Sequence, residues 1–185
     1  LYGYDNVGFH LGKEDVTMDF NGVITKEQMK EIEYLANEAV FKNIDIQTIC
    51  PSAEELKKMA YRSKIEIDGQ VRIIKIEGYD CCACCAPHMR KTGEIGLIKL
   101  TNLQNYKGGV RISMLSGFRA LADYSEKETS VKNIAVSFSA KEHEVCDVVE
   151  HLKEEKLSLK QEIAKLQMQL LSYKAKDIPE GEKAV

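Results

Sequence analysis

Four cysteines and one histidine lie within the eight-residue run from Cys81 to His88. Thiolate and imidazole groups held this close together are typical ligands of a soft metal ion such as zinc. The run contains Cys-x2-Cys spacings and one Cys-x3-His spacing, which Cys84 and His88 form. Because Pro87 cannot donate a ladder hydrogen bond, the run is predicted to be a loop or the edge of a sheet.

Other uses of the cysteines stay open at this point. A closed structural zinc site needs four ligands, commonly in two pairs, and the chain has only one such cluster. A redox Cys-x2-Cys motif usually opens a helix, but Pro87 and Gly93 follow too soon for that helix. For Cys81 and Cys82 we favour a role as small buried apolar side chains. The remaining cysteines and histidines are isolated in the sequence: Cys50, Cys146, His10, His143 and His151.

The composition restricts the class of protein. A chain of 185 residues that is 44% hydrophobic and 30% charged can form one domain with a core, plus an appendage. The formal charge of −3 argues against an overall basic field that would recruit nucleic acid. No apolar run is long enough to span a membrane, and the thiols are expected to be reduced, so we predict a cytoplasmic protein. Because the first residue is Leu1, we expect that the chain begins inside a larger protein or that its start was lost.

The apolar pattern predicts an α+β fold. Val16–Phe20 alternates apolar and polar residues, as a half-buried strand does. Thr25 and Gln28 form a capping box at the start of a helix that runs to about Lys42, whereas Leu1–His10 is typical of a loop. Irregularly spaced strands joined by short turns favour a largely antiparallel sheet packed with helices. The other predicted elements are strands at Ile44–Ile46, Gln70–Glu77, Glu94–Leu100 and Val110–Leu115, and short helices ending near Met59 and spanning Phe118–Tyr124.

A heptad pattern predicts a long helical arm after this domain. Apolar residues recur at spacings of three and four, interrupted once by Lys156, as in a coiled coil. Ser139 and Glu142 are expected to cap this helix. The pattern consists of Val145, Val149, Leu152, Leu159, Ile163, Leu166, Leu170 and Tyr173. We predict a domain over 1–124, a polar linker over 125–138, an arm over 139–176 and a tail over 177–185. A homodimer could form through the arm or through a C-terminal domain that is missing from this chain.

From about Val7 to Tyr124 the chain resembles the editing domain of alanyl-tRNA synthetases and the free-standing alanyl-tRNA editing proteins. The family's Cys-x3-His motif falls on Cys84 and His88. The arm resembles the helical link of long family members. The other matching segments are Gly8–Gly12, Val16–Phe20, Ile32–Glu38, Val71–Arg72, Thr92–Gly96, Gly108–Ile112 and Gly117–Leu121.

The resemblance implies a function. Members of the family hydrolyse the ester of mischarged tRNA(Ala), chiefly seryl- and glycyl-tRNA, and hold the 3′ end of the acceptor stem. They bind one zinc ion through a His-x3-His and a Cys-x3-His pair, so Cys84 and His88 are the expected metal ligands here. Thr17 matches a threonine that lines the amino-acid pocket. No catalytic residue is identified.

The sequence departs from the family pattern in two places. No His-x3-His pair is present, and we expect that pair upstream of Leu1. With two of four ligands, the affinity of this chain alone for zinc is expected to fall steeply, and its catalysis with it. Ala86-Pro87 stands where the family has Gly-Thr, and proline removes an N–H donor next to His88.

Four basic residues near the end of the domain are candidate contacts for tRNA phosphates: Lys99, Lys107, Arg111 and Arg119. Two alternatives to an editing hydrolase remain. The chain could be part of a full alanine–tRNA ligase, although no phosphate-cradling segment occurs in it, or a non-catalytic tRNA-binding module with a degenerate zinc site.

Overall fold

A computed structural model describes residues 1–63 and 69–176. The chain divides into two compact units, Leu1–Tyr124 and a second unit that begins at Ser125. The first unit is α+β, as predicted, and every pair of its named strands is antiparallel. Its elements are β1 (Asn6–Leu11), β2 (Val16–Phe20), α1 (Lys26–Phe41), β3 (Ile46–Ile49), α2 (Ala53–Leu56), β4 (Ile73–Ile76), β5 (Asp80–Ala83), a 3-10 helix (Thr92–Ile95), β6 (Ile98–Tyr106) and β7 (Gly109–Ser116).

Four strands form the first sheet, in the order β1-β2-β7-β6. The strand predicted at Val16–Phe20 is confirmed, but the loop predicted over Leu1–His10 is wrong from Asn6 onward, where β1 pairs with β2. The apolar residues of β1 alternate with Gly8 and His10, as in a strand, but the many Gly, Tyr and Asn residues of Leu1–His10 favoured a loop. The apolar side chains of this sheet pack on α1 around a core of Ile24, Leu100, Val110 and Ile112.

Helix α1 is held against β6 by polar as well as apolar contacts. It begins at the predicted capping box, in which Thr25 and Gln28 satisfy each other's backbone N–H groups. Asn37 donates to the carbonyl of Ile98 at 2.8 Å and accepts from its N–H at 2.9 Å. Glu33 accepts from the backbone N–H of Leu100 at 2.7 Å. The helix is therefore fixed along the strand, since its amide and carboxylate bind only at these backbone positions.

A tight two-residue turn joins β6 to β7. Both central residues, Lys107 and Gly108, have positive φ angles of 46° and 80°, as a type I′ hairpin turn requires. The turn was predicted one residue later, at Gly108-Gly109. Gly109 instead opens β7, where a Cβ atom would stand 1.9 Å from the carbonyl oxygen of Phe20.

Three strands form the second sheet, in the order β3-β4-β5. Cys81 and Cys82 lie in β5, and the rest of the cysteine run follows it, which agrees with the predicted sheet edge. Arg62 covers the outer side of β5: its N–H donates to the carbonyl of Cys81 at 2.9 Å, and its carbonyl accepts from Ala83 at 2.8 Å. The strand predicted over Glu94–Leu100 starts only at Ile98, with β6, because the chain before it forms the 3-10 helix.

The helices after β7 differ from the prediction in where they begin and end. Helix α3 (Phe118–Ser137) continues through the residues predicted as a polar linker, where Glu128 and Lys132 pair at 2.8 Å, four residues apart, as on a helix surface. Ser139 does not begin the arm: with a φ of 52° it ends α3, and its N–H donates to the carbonyl of Val136 at 3.1 Å. The next helical turn begins after Lys141, whose backbone N–H donates to the carboxylate of Glu144 at 2.9 Å. The predicted arm is confirmed as helix α4 (Val145–Lys176). The predicted tail lies outside the described residues, and no described helix is long and apolar enough to cross a membrane.

We expect Ile112→Ala to lower the free energy of unfolding by about 2–5 kcal/mol, because Ile112 is 2% exposed and its removal leaves a cavity under α1. Urea denaturation measures this change. Val7→Ala, at a position that is 64% exposed in β1, is the control and should cost less than about 0.5 kcal/mol. Equal costs for the two variants would contradict this location of the core.

Candidate functional site

The loop from Cys84 to His88 is clamped by Arg72. The N–H of Cys84 donates to the carbonyl of Arg72 at 3.1 Å, which extends the β4–β5 ladder by one residue. The guanidinium of Arg72 then donates from Nη1 to the carbonyl of Cys84 at 3.1 Å and to that of Ala86 at 2.6 Å. The backbone and the side chain of Arg72 therefore fix the first half of the loop.

The same loop orients the ring of His88. Its Nδ1 lies 2.8 Å from the carbonyl oxygen of Ala86. A carbonyl can only accept, so the neutral ring carries its proton on Nδ1 and leaves the lone pair of Nε2 free. Histidine ligands of metals commonly have this arrangement, with the second ring nitrogen held by a carbonyl. The carbonyl of Ala86 thus joins Arg72 to His88.

The cysteines of the run differ in environment. Cys84 is half-buried at the start of the loop, whereas Cys85 is exposed. Burial, together with the nearby carboxylate of Asp80, raises the pKa of Cys82 to about 11. Cys82 is therefore a thiol at neutral pH. Asp80 is itself engaged by Arg62 through two hydrogen bonds of 3.0 and 2.7 Å.

The donor set of Cys84 and His88 fits zinc in type, since one thiol and one oriented imidazole are both ligands that this ion takes. Within residues 1–63 and 69–176, however, no group of three or more His, Cys, Asp or Glu side chains could hold a metal. Cys84 and His88 alone could supply at most two of the four ligands of a tetrahedral zinc site.

A second cluster of polar side chains lies on the face of the first sheet opposite α1. Asp19 on β2 faces Arg111 on β7, and the guanidinium makes two hydrogen bonds of 2.6 and 2.8 Å to its carboxylate. Arg111 stacks on the ring of Tyr106, 3.8 Å from its centroid. The carboxylate of Asp19 fits because its neighbour on β1 is Gly8, where a Cβ atom would stand 2.5 Å from an Asp19 oxygen.

Electrostatics stabilise this pair in its charged form. The Arg111 guanidinium lowers the pKa of Asp19, and Asp19 in turn raises the pKa of Arg111. His10 on β1 lies 3.7 Å from the carboxylate, beyond hydrogen-bond length. The pair is neutral overall, because the charge of Arg111 is balanced by the carboxylate that accepts from two of its nitrogens.

Thr17 lies next to this pair on the same face. It stands between His10 on β1 and Ser113 on β7 in the strand register, and Ser113 is buried. Two hydroxyl groups and one imidazole therefore share one row across three strands. Thr17 belongs to the first sheet, whereas Cys84 and His88 belong to the edge of the second.

Three of the four candidate tRNA contacts are engaged by other groups of the domain. Lys99 is paired with Glu33 at 2.7 Å, and Arg111 with Asp19. Arg119 donates to the backbone carbonyl of Lys13. Lys107 is exposed at the hairpin turn, with its ammonium 5.1 Å from the centroid of the Tyr106 ring.

The amino-acid sequence of the chain matches a known family. Residues 71–113, which include Arg72 and the whole cysteine run, match the family described as the threonyl and alanyl tRNA synthetase second additional domain. The alanine–tRNA ligase of Petrotoga mobilis is 31% identical over 96% of this chain and 22% of its own length. The chain is related to the alanyl-tRNA synthetase editing domain.

Two more relatives agree with this assignment. The alanine–tRNA ligases of Korarchaeum cryptofilum and Desulforamulus reducens are 29% and 30% identical over 84% of this chain and 18% of their own lengths. This editing-domain relative thus spans about a fifth of the length of the ligases that it matches.

Reasoning from residues alone missed two parts of the site. Arg72 was noted only as a match to the family, although a charged residue between Val71 and Ile73 in an apolar strand could have indicated a special role. The pairing of Asp19 with Arg111 joins residues 92 positions apart. No local pattern reveals such a pair, because it depends on the register of β2 with β7.

We expect Asp19→Asn to lower thermal stability near neutral pH and to have less effect in acid. The folded-state pKa of Asp19 lies below its ordinary 3.8, so its stabilising effect is complete above that value and is lost as pH falls through the lower folded-state value. Melting temperatures of both proteins from about pH 7 to about pH 3 measure the difference. A difference that stays constant over this range would contradict the charged pair.

We expect Arg72→Met to release the carbonyl of Ala86 and to reduce the population of the Nδ1–H tautomer of His88. Methionine keeps much of the side-chain volume but removes the donor. Nitrogen chemical shifts of the His88 ring measure the tautomer without any metal. Arg90→Met, on an exposed residue near the loop, is the control, and an unchanged tautomer in Arg72→Met would contradict the clamp.

Proposed function

We propose that this domain takes part in hydrolytic editing of mischarged tRNA(Ala), by deacylation of seryl- and glycyl-tRNA. Two findings support the proposal: the relationship to alanine–tRNA ligases over most of the chain, and the match of residues 71–113 to a domain of threonyl and alanyl tRNA synthetases. The observation that carries it is the loop in which Ala86 and Arg72 hold His88 with its Nε2 free. An enzyme of this kind would act in the cytoplasm.

The loop would provide part of a zinc site. The thiolate of Cys84 and the Nε2 of His88 would be two ligands, and the His-x3-His pair that the family resemblance implies would supply the others. Bound zinc would polarise the ester or a water molecule. Arg72 would keep the imidazole in its metal-binding tautomer, as outer-shell partners of metal ligands commonly do.

The polar face of the first sheet would hold the aminoacyl group. Its row of Thr17 and Ser113 offers hydroxyls that can bind a seryl hydroxyl, which a methyl group of alanine cannot match. The ion pair of Asp19 and Arg111 would keep these strands in register. Binding of the tRNA acceptor stem by Lys99, Lys107, Arg111 and Arg119 stays a prediction, as does a homodimer through the arm.

We expect Cys84→Ala and His88→Ala to lower bound zinc and the deacylation of seryl-tRNA(Ala) together, each by at least about tenfold, since each removes a direct ligand. Elemental analysis and a deacylation assay measure the two quantities. Both measurements are made on this chain and on the same chain extended by a His-x3-His segment.

Cys81→Ser and Cys85→Ser are the matched controls, because they change neighbouring cysteines of the same run, and both should keep zinc and activity. Zinc and activity only in the extended chain would support the proposal. Neither in the extended chain would favour a non-catalytic tRNA-binding module. Aminoacylation by this chain would favour the alternative of an alanine–tRNA ligase.

A further inference from the structure

The polar face of the first sheet carries an exposed imidazole beside a buried carboxylate. The side chain of His10 is 63% exposed, and its Nε2 lies 3.7 Å from Oδ2 of Asp19, whose side chain is 7% exposed. Gly8 is the next residue of β1 on this face and lies opposite Asp19. Because Gly8 has no side chain, the carboxylate and the imidazole can approach each other above it.

We propose that His10 is the general base of the hydrolysis, the residue that takes the proton from the attacking water molecule. This inference rests on the proposed function and adds to it a residue outside the metal-ligand motif of Cys84 and His88. Histidine is the side chain most often used for such proton transfers.

His10 lies in the row of residues that would hold the aminoacyl group. In the strand register it is the partner of Thr17, which is in turn the partner of Ser113. Neighbouring strands of a sheet are about 4.8 Å apart. An aminoacyl group bound to the Thr17 hydroxyl would therefore be within reach of the His10 ring, as a general base requires.

The other charged groups beside Asp19 are poor bases. Asp19 itself accepts two hydrogen bonds from Arg111, and this guanidinium lowers the pKa of the carboxyl. The two cations that act on Asp19 besides the imidazole are Arg111 and Lys107, and these residue types have donors only. Among these described groups, His10 is therefore the one suited to accept a proton.

Asp19 would orient the ring and stabilise its charged form. A carboxylate near Nε2 favours the tautomer with the proton on that nitrogen, which leaves the lone pair of Nδ1 free to accept. Once Nδ1 takes a proton, the imidazolium lies 3.7 Å from the carboxylate. Opposite charges at this distance attract each other.

The proton transfer balances with water as the only other reactant. The water oxygen bonds to the carbonyl carbon of the ester while its proton passes to Nδ1 of His10. The bond from that carbon to the ribose oxygen then breaks, and the imidazolium gives its proton to the ribose oxygen. The products are a free amino acid and a tRNA with an intact terminal hydroxyl.

Replacement of His10 tests this role in the chain extended by the His-x3-His segment. His10→Gln should lower kcat for deacylation of seryl-tRNA(Ala) by about 10²-fold to 10⁴-fold, with KM and bound zinc unchanged. In His10→Ala, added imidazole should restore part of the lost rate, because the free base can enter the space of the missing ring. His143→Gln, on an exposed histidine of the second unit, is the control and should keep the wild-type rate.

A stable substrate analogue tests the contact without hydrolysis. In 3′-seryl-amino-3′-deoxyadenosine an amide replaces the ester. Added to this chain without metal and to the zinc-loaded extended chain, the analogue should shift the NMR signals of the His10 ring and leave those of His143 unchanged. No shift of His10 in either protein would overturn the inference.

The results separate this inference from the proposed function. An extended wild-type chain that binds zinc and does not deacylate seryl-tRNA(Ala) would overturn both. A wild-type rate in His10→Gln would overturn the role of His10 alone. Loss of zinc in His10→Gln, or a lower rate in His10→Ala that imidazole does not restore, would indicate a structural role and would also overturn the inference.

Discussion

The ion pair of Asp19 and Arg111 is the interaction on which the first sheet depends. A carboxylate that is almost fully buried is costly unless it is paired and hydrogen-bonded. Arg111 meets this requirement only when β2 and β7 are in the observed register. A slip of one residue would turn Asp19 toward α1 and its apolar core. The pair therefore fixes which face of the sheet is apolar and which is polar.

Polar contacts of the same kind position the rest of the first unit. Asn37 and Glu33 of α1 bind backbone groups of β6, and Thr92 donates to the carbonyl of Ala39 while it accepts from the N–H of Ile44. Apolar packing alone would let α1 slide along the sheet. These bonds have fixed partners, so they hold the helix and the chain that leads into β3 at single positions.

The loop at the edge of the second sheet is also held in place by hydrogen bonds with fixed partners. Pro87 removes an N–H donor, yet His88 is still oriented, because the ring uses the carbonyl of Ala86 and not the N–H of its neighbour. Arg72 holds that carbonyl from the strand behind it. Ala86-Pro87, which stands where the family has Gly-Thr, is therefore compatible with an ordered histidine. The guanidinium of Arg72, 14 residues before Ala86, holds the loop in place.

The sequence by itself determined the elements that depend on neighbouring residues. The capping box at Thr25, the alternation of Val16–Phe20 and the heptads of α4 were all predictable, because helix caps, strand faces and helix seams are local in the chain. The candidate ligands Cys84 and His88 were also visible as a spacing. Only the tertiary structure decided the pairing of Asp19 with Arg111 and the clamp of Arg72 on the loop. These depend on contacts between distant segments, and such contacts exist only once the strands have found their register.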